Sequence, residues 1–133
     1  KKVNLQKFEK YLKKFQYKNA LNAALEKTST DITISLIEEL VQRSSLEIAI
    51  ANRSEEELIL LIDFLTWKIS DYRFSDLLVE VAKITIDMYS CVVGHSEKVL
   101  RKFRELFEKV EGEIVEQKQM LEVKSKLDTL KTC

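Results

Sequence analysis

The sequence predicts an all-α domain: six or seven helices in a stacked antiparallel, solenoid-like array that ends in a long C-terminal helix. Three observations carry this expectation. The 133 residues include no proline and only two glycines, Gly94 and Gly112, whereas sheets need turn residues every few positions. Apolar residues recur at spacings of three and four, the period of a helix face. Short polar breaks separate the apolar runs, and short connections make antiparallel neighbours. The length suits one domain with its own core. A charged share of 33% against 45% apolar is a globular mixture rather than a disordered one. No internal repeat is visible, so a regular repeat family is not supported.

Each helix can be read from its punctuation. Residues 4–14 place Leu5, Phe8 and Leu12 on one face. Phe15 and Tyr17 then mark a corner. A second helix over about 17–27 has Leu21, Ala24 and Leu25 inward, and its small residues Ala20, Ala23 and Ala24 let a neighbouring helix approach closely. Thr30 is expected to cap a helix from Asp31 to Arg43 with Ile34, Ile37, Leu40 and Val41 inward. Ser44 and Ser45 end it, and a short helix, Leu46–Ala51, follows. Ser54, Glu55, Glu56 and Glu57 form a capping box, the sharpest boundary in the chain. The helix after it, about 55–70, is apolar nearly all round its axis, which places it centrally or under a partner. The next is expected to be capped by Ser75, to run to about Val93 with the same character, and to end at Gly94 in a left-handed cap. Ser96 caps a final helix to about Leu130, roughly 50 Å long. Its spacing at Phe103, Phe107, Val110 and Ile114 is heptad-like but too short for a long coiled coil.

Catalytic and metal chemistry find no residues to stand on. His95 is the sole histidine and has no Cys or His at ligand spacing, while zinc sites need three or four clustered ligands. Cys91 lacks a histidine on its own helix face and reads as a buried structural thiol. Glu38–Glu39 lie on an outer face, and Glu55–Glu57 sit where backbone amides hold them, so neither suggests a raised pKa in a cleft. Two glycines cannot build a phosphate loop. Trp67, Phe64, Phe74 and Tyr72, set among leucines at helical spacing, read as core rather than as a stacking platform. The expectation is a non-enzyme with no cofactor, no metal and no small-molecule substrate. The longest apolar run, Leu58–Ile62, is too short to span a membrane. No apolar run follows the basic start, so no signal peptide is expected. The two cysteines, Cys91 and Cys133, make no disulfide framework, which suggests an intracellular protein with free thiols. The chain opens in mid-helix pattern without methionine, as a piece of something longer would.

Charge is unevenly spread. Residues 1–20 carry seven lysines against one glutamate, and residues 21–100 carry seven basic against fourteen acidic side chains. A basic entry segment can attract nucleic acid or an acidic partner, although clustered lysines are also what a solvated helix face looks like. Geometry adds a second candidate surface in the last helix. With Phe103 at zero, Phe107, Val110, Ile114 and Leu121 fall within roughly 40°, one stripe for the core. Met120, Val123, Leu127 and Leu130 fall near the opposite face. One straight helix cannot press both stripes on one core, so either it breaks near Gln117–Gln119 or its end projects toward a partner. The lack of a nearby breaker favours projection.

The stretch KFQYKNALNAAL, residues 14–25, resembles the entry motif of the C-terminal domain of the U-three-small-nucleolar-RNA-associated protein fifteen family, a basic-aromatic corner followed by small residues and leucines. Residues 35–43, the stretch Ala49–Arg53 with the Ser54–Leu58 cap, Phe64-Leu65 with Lys68, Ile69, Asp71 and Arg73, Asp87-Met88-Tyr89 with Gly94 and Ser96, and Glu113-Ile114 with Gln117 and Leu121 follow in the family's order. The likeness covers about residues 8–121. Asn22 stands where the family pattern has aspartate, and Tyr72 where it has proline; both read as turn or surface positions. The resemblance implies a single helical C-terminal interaction domain over 1–133, following an N-terminal β-propeller of WD repeats that lies outside this sequence. It also implies a nucleolar, hence nuclear, subunit of the early small-subunit processome, which binds the leader of pre-ribosomal RNA and serves rRNA processing and ribosome biogenesis.

Two functions follow. The first is a scaffold that docks helices of other processome subunits through Met120, Val123, Leu127 and Leu130. The second is an RNA-binding module contacting the pre-rRNA leader through the basic N-terminal helix, with Lys7, Lys10, Lys13, Lys14 and Lys18, and Lys1 and Lys2 before them.

Overall fold

The structure, a computed structural model, describes residues 9–27, 30–91 and 96–132. Among the described residues there are seven helices and no strand: α1 over 9–13, α2 Tyr17–Lys27, α3 Thr30–Gln42, α4 Leu46–Ile50, α5 Glu55–Lys68, α6 Ser75–Tyr89 and α7 Glu97–Thr132. Helices α2, α3 and α4 pack on one another, as do α5, α6 and α7, and the two groups meet where α2 lies on α5. Helix α5 is therefore central, as its apolar circumference requires. Leu58, Leu61, Ile62, Leu65 and Ile69 are buried, with Ile59, Leu60 and Phe64 half-buried. Leu5, Phe8, Gly94 and His95 lie outside the described residues.

The tight face of α2 is as its composition suggests. Ala20, Leu21 and Ala24 have no exposed surface, and the Thr33 hydroxyl of α3 donates to the Ala24 carbonyl at 3.2 Å. A larger side chain at Ala24 would push α3 away from a bond already formed.

Two tight corners turn without glycine. After α1, Phe15 N–H donates to Leu12 O and Gln16 N–H to Tyr11 O, with Phe15 at φ 60°. After α3, Ser44 N–H donates to Val41 O and Ser45 N–H to Leu40 O, with Ser44 at φ 55°. Both are Schellman motifs, which satisfy orphan helix carbonyls through a left-handed residue, usually glycine.

Several expected boundaries and inward residues shift. Thr30 is the first helical residue of α3 rather than its cap. Val41 is 47% exposed, because the buried stripe of α3 is centred on Thr33, Leu36, Ile37 and Leu40 and has rotated away from it. Ser75 is likewise the first residue of α6 and buried, while Phe74 holds the cap position without a side-chain bond. The turn before it is closed instead by Asp71, whose carboxylate accepts from the Arg73 N–H at 3.1 Å and whose carbonyl accepts from Phe74 N–H at 2.9 Å. Helix α6 ends at Tyr89, so Cys91 lies past the last packed turn and is exposed, not buried. Trp67 is 69% and Tyr72 87% exposed. Trp67 points away from the Leu61/Leu65 stripe, and the Lys68 ammonium sits 3.7 Å from its ring centroid.

A buried polar hub joins the two helix groups. The Ser54 capping box forms in full: its hydroxyl accepts from the Glu57 N–H at 3.2 Å, and Glu57 Oε1 accepts from the Ser54 N–H at 2.9 Å. Beside it, Arg53 is only 8% exposed. Its Nη1 donates to Asn22 Oδ1 at 2.6 Å and to the Glu57 carbonyl at 3.1 Å, and Nη2 donates to the Ala49 carbonyl at 3.0 Å. Its backbone N–H donates to Tyr89 Oη at 2.9 Å, and the Tyr89 hydroxyl donates to Ile50 O at 2.6 Å. Asn22 Nδ2 completes the chain by donating to Glu57 Oε2 at 2.6 Å. Asn22 is therefore not a surface position: in this chain its amide accepts from a cation and donates to a carboxylate.

Ala24→Leu is expected to overpack α2 and destabilise the fold by about 1–3 kcal/mol; a thermal or urea melt measures it, and an unchanged midpoint would mean the small face is open. A second expectation concerns acid. Glu57 is held below the ordinary carboxylate pKa, first by the Ser54 backbone N–H and then by Asn22 and Lys18, with burial working the other way. Its ionised form is thus favoured by folding, and that stabilisation is present above the unfolded carboxylate pKa and lost as pH falls through the folded one. Glu57→Gln should lower the melting temperature near neutrality and flatten its decline below about pH 4, as read from melts across an acid series.

Candidate functional site

Helix α7 is fixed to the body at three points. Ser96 Oγ accepts from Val99 N–H at 3.4 Å and donates to Glu55 Oε1 at 3.0 Å, joining the starts of α7 and α5. Lys102 Nζ meets Asp63 Oδ1 at 2.7 Å, and Gln117 Nε2 donates to Asp76 Oδ1 at 2.9 Å, at the start of α6. Between these points Val99, Phe103, Leu106 and Val110 are buried and Ile114 is half-buried. This stripe differs from the expected one at Phe107, which is 50% exposed. Leu106, on the other side of Phe103, takes the core position, so Phe107 falls at the stripe's edge.

Two clefts flank α7. On one side, a volume of about 420 Å³ is bordered by Thr66 and Ser70 of the α5 end and by Glu105, Glu108, Glu113 and Glu116. Burial, helped by Glu116 and opposed by Lys109, pushes the Glu113 carboxyl above its ordinary pKa. On the other side, Phe103 and Phe107 border an apolar cleft of about 370 Å³ with Ile86. Among the described residues no group of three or more His, Cys, Asp or Glu could hold a metal ion, and no helix is long and apolar enough to cross a membrane.

The helix continues unbroken past Gln117 to Thr132. Met120, Val123, Leu127 and Leu130 all lie within it, while their side chains are outside what the structure describes. Of the lysines singled out above, Lys1, Lys2 and Lys7 lie outside the described residues, and Lys10, Lys13 and Lys14 are exposed. Lys18 is set apart from them: its ammonium donates to Asn52 O at 3.0 Å and pairs with Glu57 Oε1 at 3.7 Å, so it belongs to the hub. Sequence reasoning missed Arg53, Asn22 and Tyr89 as one unit, because they are separated by 31 and 36 positions.

The model of the family described as UTP15 C terminal matches residues 1–130. The chain belongs to this family. It is 38% identical to the U3 small nucleolar RNA-associated protein 15 homolog of Mus musculus over 133 residues, which is 97% of this chain and 25% of that protein. The Homo sapiens homolog is also 38% identical, over 97% of this chain and 26% of its own length. The Gallus gallus homolog is 36% identical over 95% of this chain and 25% of its own length. The chain thus spans about a quarter of the curated relatives it matches.

For this UTP15 C-terminal domain the acidic wall of α7 gives a direct expectation. A raised carboxylate pKa means the folded state binds the proton more tightly than the unfolded one, so the ionised Glu113 opposes folding at neutral pH and ceases to as pH falls through the folded pKa. Glu113→Gln should raise neutral-pH stability by about 0.5 kcal/mol or less, and the gain should vanish in acid; paired melts at pH 7 and pH 4 test it.

Proposed function

We propose that this chain is a non-catalytic scaffold domain that assembles subunits of the early small-subunit processome in the nucleolus, in support of pre-rRNA processing and ribosome biogenesis. The reading rests on membership of the UTP15 C-terminal family and on relatives named as U3 small nucleolar RNA-associated proteins. The observation that carries the docking role is the length of α7. The helices it packs on, α5 and α6, are joined by a turn at 69–74, and α7 reaches that end of the body at Gln117. It then continues as helix for about 22 Å more. A helix of that length with apolar residues at 120, 123, 127 and 130 has a stripe suited to another subunit's groove or helix bundle.

The test is a double substitution. Val123→Glu with Leu127→Glu should abolish co-purification with sister processome subunits, identified by mass spectrometry from nucleolar extract, and leave the melting temperature of the chain nearly unchanged. Unfolding of the double variant would place the stripe in the domain's own core and overturn the reading.

A further inference from the structure

The corner between α1 and α2 combines three features that core packing does not require. Phe15 is 72% exposed. It also occupies the left-handed region, φ 60°, where a β-carbon is unfavourable and a bulky residue is an outlier. The ring is thus held away from the core at a position where glycine would fit better. Lys10, Lys13 and Lys14 stand exposed beside it, spaced three and four apart so that they share a helix face. A cleft of about 310 Å³ opens between Phe15 and Lys13, with Leu12 on its floor, Arg43 opposite and Glu9 at its edge. The Arg43 guanidinium is already bonded to Glu39 at 2.8 Å, whereas among the described residues Lys10, Lys13 and Lys14 make no ion pair, with Glu9 the one acid beside the cleft. Tyr17 and Phe15 pack T-shaped, with centroids 6.3 Å apart, and the contact still leaves Phe15 mostly exposed.

We propose that this corner is a contact site for single-stranded RNA, with a base stacked on Phe15 and flanking phosphates on Lys10, Lys13 and Lys14. Aromatic faces beside lysines are how sequence-tolerant single-strand binding is built, since every base has a π-face and every nucleotide a phosphate. The site does not depend on the scaffold role, because it uses neither the α7 stripe nor the two clefts beside α7. It also divides the lysine cluster: Lys18, engaged with Asn52 and Glu57, is not part of it.

The deciding variant is Phe15→Gly, since glycine accepts the φ 60° backbone. If Phe15 serves binding rather than folding, Phe15→Gly should keep or raise the melting temperature while weakening a single-stranded uridine oligonucleotide about tenfold, and Phe15→Trp should retain binding. The wild-type chain should show a log–log salt slope of about −2, from three phosphates neutralised on a single strand. Lys13→Glu with Lys14→Glu should flatten it. Fluorescence anisotropy of the 133-residue chain reads all four. Equal affinity for polyglutamate or for duplex RNA would reduce the corner to general anion attraction and overturn the proposal, as would unchanged binding or a large loss of stability in Phe15→Gly.

Discussion

Arg53 lies between α4 and α5 with its guanidinium taken out of water and bonded to Asn22, Ala49 and Glu57. Burial pushes its pKa below the ordinary guanidinium value, with Glu57 and Tyr89 opposing the shift. A buried cation is tolerable only if its hydrogen-bonding groups are met and a counter-charge is near. Nη1 and Nη2 are met, while Nε is buried with no hydrogen-bond partner among the described residues; the bonds that are made fix much of the structure. Asn22 brings α2 to the guanidinium and the Ala49 carbonyl brings the end of α4, while the Arg53 backbone N–H and the Ile50 carbonyl hold the Tyr89 hydroxyl and with it the last turn of α6. Truncating the Arg53 side chain would remove the donors to the Asn22 amide oxygen and to the Ala49 and Glu57 carbonyls at once, a larger loss than any single bond implies, while the Tyr89 hydroxyl would keep the backbone N–H of residue 53.

The first turn of α5 is the counterpart of that cation. Ser54 and Glu57 close the capping box, Glu57 carries the charge that faces Asn22 and Lys18, and Glu55 accepts from Ser96 at the start of α7. Three acids in a row at a helix start are favoured by the dipole whatever their partners. Here two of the three also bind other helices, so one short acidic run sets the start of α5, its junction with α2 and the entry of α7.

This explains which parts of the molecule the sequence makes legible. Local rules are visible in it: the capping box at Ser54, the small face at Ala20 and Ala24, the cap at Ser96 and the all-round apolar character of α5. The hub is not, because Asn22, Arg53 and Tyr89 each have an ordinary local role, and only the contact between the two helix groups makes them one network. The misplaced apolar residues have a common cause. Val41 and Phe107 each fit a helical period, but a period gives the width of a face and not its centre; Leu36 and Leu106 hold the centre, and leave Val41 and Phe107 exposed. The two glycine-free corners are legible as breaks at Phe15 and Ser44, but their left-handed backbone is not, since these are not residues that announce one. Of the candidate sites, the α7 stripe came from spacing alone. The corner needed the exposure and backbone angle of Phe15, neither of which a sequence carries.

The positions of the two proposed surfaces bear on whether they compete. Arg43, just past the end of α3, lines the Phe15 cleft. The α5–α6 turn belongs to the other helix group, α5, α6 and α7. Helix α7 passes the same turn through the Gln117–Asp76 bond before its final stretch. The basic corner and the final stretch of α7 therefore belong to different helix groups and share no residue. A strand on the lysines and a helix on the α7 stripe would thus engage different residues. A change at one surface should leave the affinity of the other intact, which is the arrangement a scaffold needs if it holds protein subunits at one end and RNA at the other.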